Sequence, residues 1–226
     1  MTSDEMKTLL GLRMEDTGEN NFKATTKYSA LNVAQRTVAN FLHESYLTEL
    51  EFEDTILLDE NISAFTGVVA LTGNGIDAGV NSVYNESSAI PIRNSIRMVR
   101  TKVNNVYRYC LNVPFADAKK LENEYLGAEE ENPVCWVFAN SVHIKPSTTP
   151  QEIVLYYLKE PTDIEIYNNC ILNTSLHDIV VDLAESELWR MDNNVTRSEG
   201  ARKSAMDQIE MLNARLANEA PPGINA

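Results

Sequence analysis

The hydrophobic period changes twice along this chain, and those changes constrain its fold more than any other feature. Between Thr25 or Thr26 and about His43, the residues Leu31, Ala34, Val38, Phe41 and Leu42 recur at spacings of three and four, the buried stripe of an amphipathic helix. From about Leu47 the spacing falls toward two. Leu50 and Phe52, then Ile56 and Leu58, leave charges or Thr between them in the manner of half-buried strands. Helical spacing returns after Asn173 and Thr174 with Leu176, Ile179, Val180, Leu183, Ala184 and Leu188. A stripe with one period cannot present a single face in the other conformation. The expected class is therefore α+β: a helical bundle from the N- and C-terminal helices, with a β-rich middle built as an antiparallel sheet or sandwich.

Caps and breakers sharpen the boundaries. Thr2 and Glu5 fit a capping box ahead of a short helix ending near Arg13, and the polar run from Glu15 to Lys23 separates it from the second helix. In the middle, Phe65, Val68, Val69 and Leu71 keep β character until Gly73, Asn74, Gly75 and Gly79, and Asn81 to Ser88 reads as an exposed loop. Alternation resumes at Val106, Tyr107, Tyr109, Leu111 and Val113. A short helix fits Phe115 to Leu126, and VCWVF, VHIKP and EIVLYYLKEP read as three strands, the first two a hairpin, with Pro146, Pro150 and Pro161 at strand ends. Thr196 and Glu199 suggest a second capping box, followed by Ala201, Ala205, Ile209, Leu212 and Leu216 up to about Asn218. The expected organisation is helices over 1–46, a β-rich region over 47–171, helices over 172–219, and an extended tail over 220–226.

Charge bounds the partners. Thirty-three acidic against nineteen basic residues give a net charge of −14, which repels a phosphate backbone and argues against sequence-specific nucleic-acid recognition. No run approaches the roughly 18 to 20 apolar residues of a membrane helix, and MTSDEMKTLL lacks the parts of a signal peptide, so no membrane partner is expected and synthesis in a cytoplasm is.

No motif carries chemistry. Cys110, Cys135 and Cys170 are odd in number and far apart, and read as free buried thiols. His43, His143 and His177 fall on different elements, so neither a metal nor a cofactor is expected. No serine sits in a nucleophile elbow. Gly73-Asn74-Gly75 lacks the helix and lysine of a phosphate loop and reads as a surface turn, and Glu129, Glu130 and Glu131 read as a solvated loop. Trp136, Phe138, Tyr156 and Tyr157 suit core or interface packing, with neighbours in sequence on opposite faces of a strand. Arg93, Arg97, Arg100 and Lys102 form the one local positive stretch: a solvated strand or loop edge, or a surface that pairs with an acidic neighbouring subunit.

The segments KYSALNVAQRTVANFL with LTELE, VHIKPSTTPQEIVLYYLKEP, and LHDIVVDLAESELWRMD together resemble the head-to-tail adaptor, or connector ring, proteins of tailed bacteriophages, including short-tailed and crAss-like phages. The resemblance spans most of the chain and is weakest between about Phe65 and Asn104. It implies a non-enzymatic virion protein of the neck, assembled in the host cytoplasm. Such a subunit is commonly one of twelve in a homo-oligomeric ring that docks under the portal protein, contacts tail or further ring proteins, and extends the channel through which double-stranded DNA passes.

Under that resemblance the tail Ala220, Pro221, Pro222, Gly223, Ile224, Asn225 and Ala226 is the expected docking arm. Glu199, Asp207, Glu210 and Glu219 are the candidate channel-facing acids if the last helix lines the lumen, where acidic walls repel phosphate within about 8 Å at physiological salt. The rival readings are another collar or tail-ring component, a cellular β-sandwich module binding a peptide or small ligand through Trp136, Tyr156 or Tyr157, and a hydrolase using scattered acids.

Overall fold

The computed structural model describes residues 1–58, 68–72, 75–77, 82–84, 91–118, 131–139, 141–145 and 150–219. They belong to two compact units: Met1–Leu50 together with the chain from Pro161 onward, and Glu51–Glu160. Helices occupy both ends and an antiparallel sheet core the middle, the α+β class expected from the periods.

In the helical unit, α1 (Ser3–Arg13) starts on the expected capping box: the Glu5 amide donates to Thr2 Oγ1 at 3.2 Å and the Thr2 amide to Glu5 Oε2 at 2.7 Å. The polar run after it is an ordered loop around one buried carboxylate. Asp16 Oδ1 accepts the amides of Asn20 and Asn21 at 2.8 and 3.1 Å, and Oδ2 accepts that of Phe22 at 2.9 Å. This loop delivers the chain into α2 (Ala24–Phe41) earlier than the expected Thr25 or Thr26 cap, and Lys23 stands at the N-cap with no side-chain bond. Lys27, one turn into α2, reaches back: its Nζ lies 3.1 Å from Asp16 Oδ2 and donates to the Asp16 carbonyl at 2.6 Å. Gly11 makes room for this approach, since a Cβ there would stand 3.2 Å from Lys27 Nζ and 3.3 Å from the Asp16 carbonyl oxygen.

A 3₁₀ turn (Thr174–Leu176), capped by Asn173, leads into α4 (His177–Met191), which follows the short α3 (Phe115–Ala118) of the β unit in chain order. Ile179, Val180, Val181, Leu183, Ala184, Leu188 and Trp189 of α4 are buried, so the helix is covered on nearly every side, and α1, α2 and α5 (Val195–Glu219) pack on it. The expected Thr196/Glu199 box does not start α5. Asn193 turns the chain in the left-handed region (φ 59°), and Asn194 instead caps the helix by accepting the Arg197 amide at 3.2 Å. Between Pro161 and α4, two amide side chains of α2 hold an irregular segment that turns at a Glu165–Asn168 bridge. Gln35 donates to the Thr162 carbonyl at 2.8 Å and accepts the Ile171 amide at 3.3 Å, while Asn32 accepts the Ile164 amide at 2.6 Å.

The β unit opens later than the alternation suggests, because Glu44–Tyr46 and Thr48–Leu50 close into 3₁₀ turns of the helical unit first. Its strands are β1 (Glu51–Leu58), β2 (Val68–Thr72), β3 (Gly75–Asp77), β4 (Ser82–Tyr84), β5 (Pro91–Val103), β6 (Val106–Tyr109), β7 (Leu111–Asn112), β8 (Val134–Phe138), β9 (Ser141–Lys145) and β10 (Glu152–Lys159). They form two sheets, ordered β4-β1-β10-β5-β6 and β3-β2-β9-β8-β7. All pairs are antiparallel except β7 with β8. The expected β8–β9 hairpin is present.

Ile56, Val99, Ile153, Leu155 and Tyr157 from the first sheet meet Val69, Cys135, Val142 and Ile144 from the second in one buried core, a sandwich. The helix expected over Phe115–Leu126 is described only over α3 (Phe115–Ala118), and the remainder lies outside the described residues, as do Gly73-Asn74, Gly79, Asn81 and residues 85–88; within the loop expected over 81–88, Ser82–Tyr84 instead pair with β1 as β4.

Candidate interaction surfaces

The tail residues Ala220 to Ala226 lie outside the described residues. Glu199, Asp207 and Glu210 are exposed along α5, and Glu219 is its last residue. The same helix carries Arg197, Arg202, Lys203 and Arg215, so its four acids are matched in number by four bases.

The outer face of the first sheet is built by alternation. With Phe52, Asp54 and Ile56 turned to the core, Glu51, Glu53 and Thr55 face outward, and the register places Tyr156, Arg100, Tyr109, Lys102, Tyr107 and Glu152 on that same face. The Arg100 guanidinium lies 4.2 Å from the Tyr107 ring centre and 5.8 Å from that of Tyr156, and the Lys102 ammonium lies 5.0 Å from the Tyr107 ring. The Tyr107 hydroxyl donates to Glu152 at 2.9 Å.

The positive stretch therefore finds its acids within its own sheet: Arg97 on Glu51, Arg100 with Glu53 at 4.0 Å, and Lys102 with Glu152 at 3.5 Å. Arg100 Nε is buried without an acceptor. Burial, helped by the bond to Glu53 and opposed by Arg100, pushes the Tyr156 hydroxyl above its ordinary range. Tyr157 points the other way, almost fully buried, with its ring 5.7 Å from Phe52. The opposite-face expectation for this pair is met. A pocket of about 460 Å³ is lined by Glu51, Phe52, Glu53, Arg97 and Met98 together with the two tyrosines.

On the outer face of the second sheet Phe115 stacks on Phe138 (4.1 Å, 8°) and Trp136 on His143 (5.2 Å, 6°). Cys110 and Cys135, separated widely in sequence, are side-chain hydrogen-bond partners in the core. Donation from Cys135 lowers the Cys110 thiol pKa against the effect of burial, and the same bond together with burial raises that of Cys135. All three cysteines are free and buried, and burial pushes Cys170 up to about 11, the direction of an unreactive thiol. Among the described residues no group of three or more His, Cys, Asp or Glu is placed to hold a metal ion.

The helical unit carries a groove of about 560 Å³ that sequence reading missed. It runs between α2 and the 163–166 segment, with Tyr28, Val33 and Ile166 on its wall and the Arg36–Asp163 ion pair (2.7 Å) at its rim. Tyr28 Oη is buried in this wall without a partner. Nothing in the α2 stripe announces it, because the groove exists only through the docking of 162–171 on Asn32 and Gln35.

No helix among the described residues is long and apolar enough to cross a membrane. No protein-family model matches the chain, and no curated protein matches it.

Proposed function

We propose that this chain is a virion structural protein, a subunit of the head-to-tail adaptor ring of a tailed bacteriophage that joins portal to tail and extends the DNA channel, without catalysis. The observation that supports the reading is the division of the chain. Segments from both ends combine into one helical unit, and Glu51–Glu160 forms a separate β unit inserted between them. In the adaptor proteins that the sequence resembles, a helical bundle forms one part of the ring and a β-rich part projects from it, and the division of this chain suits that arrangement.

The helical unit holds 18 acidic and 10 basic residues, and the net −14 of each subunit repeated around a ring suits a lumen that passes DNA without binding it. Glu199, Asp207, Glu210 and Glu219 would act there against the four bases on the same helix. A lumen acidic enough to repel DNA draws on the excess elsewhere in the unit as well.

Negative-stain images of the native complex test the proposal: rings of about twelve subunits between portal and tail are expected. Particles lacking residues 220–226 are expected to lose the portal–tail joint, and normal particles would remove the docking arm from the proposal. The aromatic stacks on the second sheet favour a second reading, a β-sandwich ligand-binding module. That reading gains if the native protein is a monomer with a ligand on Trp136 and Phe138.

A further inference from the structure

We infer that the sandwich rim from Val106 to Phe115, backed by β5, is the seat for an acidic surface of a second copy of this chain. The inference rests on the ring reading for its setting but on different observations. Among the described strands β6 ends the first sheet and β7 ends the second, and one uninterrupted segment supplies both edges as it crosses from sheet to sheet. Cys110 is the hinge of that crossing. Its amide bonds to the Val99 carbonyl in the first sheet at 2.9 Å, while that of Leu111 bonds to the Pro133 carbonyl beside the second at 2.8 Å.

The side chains along the crossing are those that edge strands ordinarily avoid. Val106, Tyr107 and Phe115 are exposed, Tyr109 is 63% exposed and Leu111 66%. Apolar and aromatic groups concentrated along two adjoining sheet edges mark an interaction surface.

Charge identifies the occupant. Residues 91–116, which comprise β5, β6, β7 and the start of α3, contain five basic side chains and no acidic one. The other 200 residues therefore carry −19, so a second copy presents an acidic excess to a segment that has no acid of its own. Arg97 and Lys102 are held by Glu51 and Glu152, but Arg100 stands 4.0 Å from Glu53 and Arg108 4.0 Å from Glu131, distances that an incoming carboxylate can improve on. Because the rim is basic and its target acidic, the contact is between unlike surfaces. Such heterologous contacts close into rings or run on as filaments.

The test uses the full chain with a photo-crosslinking phenylalanine analogue at Tyr109, mixed with isotopically heavy copies so that contacts between copies are distinguished from contacts within one. Crosslinks from Tyr109 to an acidic segment of a second copy are expected, with a control probe at Tyr167 of the helical unit giving a different pattern. Only intramolecular crosslinks, or none, would overturn the inference.

Sedimentation of the double variant Tyr109→Glu/Leu111→Glu is expected to show association weakened at least tenfold. The Tyr109→Lys/Leu111→Lys variant, equally polar but of the opposite sign, is expected to retain more of it and to lose it with added salt. Equal loss in both variants means that charge does not select the partner and overturns the assignment. Crosslinked copies that close no ring would sink the ring proposal and leave the rim contact standing. Rings that tolerate both glutamates would sink the rim contact alone.

Discussion

Lys27 and Leu155 are both almost fully buried, one in each unit, and they hold their surroundings by opposite chemistry. Lys27 neutralises and hydrogen-bonds a buried aspartate loop. Leu155 fills a core made of side chains with few polar atoms. The helical unit places polar groups inside, among them Asp16, Gln35 and the Ser186–Ser198 hydroxyl pair at 3.2 Å. The β unit places most of its own on the outer face of a sheet. Interior polar groups are costly to strip of a partner, whereas exposed ones contribute little, so the units should respond differently to the same kind of substitution.

The chain has two tryptophans, Trp189 on α4 and Trp136 on β8, which gives one fluorescent reporter per unit once the other is replaced by Phe. The largest effect should come from Lys27→Ala, which strands the Asp16 charge in the interior and is expected to cost about 3–5 kcal/mol in urea unfolding read at Trp189. Leu155→Ala should cost about 2–5 kcal/mol at Trp136 by opening a cavity. The comparison breaks if either substitution moves both reporters equally.

These residues also show where sequence reading succeeds. Leu176, Ile179, Val180, Leu183 and Leu188 announce α4 because helix burial repeats along one element. Tyr156 and Tyr157 separate to opposite faces because strand geometry is local. Lys27 gives no such signal: a lysine in an amphipathic helix ordinarily reads as surface, and its partner lies in a loop whose path depends on the tertiary fold.

β5, with thirteen residues the longest described strand, escapes for a related reason. Register shifts against β10 between Tyr156 and Tyr157 and again before Lys159 break its alternation, so Ile92, Ile96, Met98 and Val99 follow no simple period. Nor does local sequence show that β1 and β10 bring Glu51, Glu53 and Glu152 alongside its basic residues. The molecule's surfaces share this origin. The groove along α2 and the Val106–Phe115 rim arise from how elements meet.

Gln35 offers a milder break in the same unit. Gln35→Ala leaves the Thr162 carbonyl and the Ile171 amide without that partner, and a loss of about 1–3 kcal/mol at Trp189 is expected. A Trp136 transition that moved instead would contradict the assignment of 161–173 to the helical unit.

Acid should separate the units further. Burial alone would raise the Asp16 carboxyl, but the amides of Asn21 and Phe22, the Lys27 ammonium and the Asn20 amide outweigh it and hold it at about 2, below its ordinary 3.8. A depressed acid contributes stability that is fully present above its unfolded value and lost as pH falls through its folded one. Between about pH 4 and 2 the helical unit should thus lose about 2 kcal/mol from this group. The free-energy gap between the natural chain and Asp16→Asn, measured at Trp189, should narrow over that window. A constant gap would mean that Asp16 is not held as an anion.

The smallest effect is expected where polar groups lie outside, on the first sheet, and it is the sharper half of the comparison. Tyr107→Phe keeps the ring beneath Arg100 and Lys102 and removes only the hydroxyl bond to Glu152, whereas Tyr107→Leu removes the π face as well. The difference between the two variants isolates the cation–π contribution, expected to be about 0.5–1 kcal/mol for a partly exposed site and read at Trp136. A measurable difference shows that the ring orders the two cations on the face. If Phe and Leu unfold alike, the basic residues of β5 are simply solvated, and their arrangement over Tyr107 has no stabilising role to compare with that of Lys27 in the interior of the helical unit.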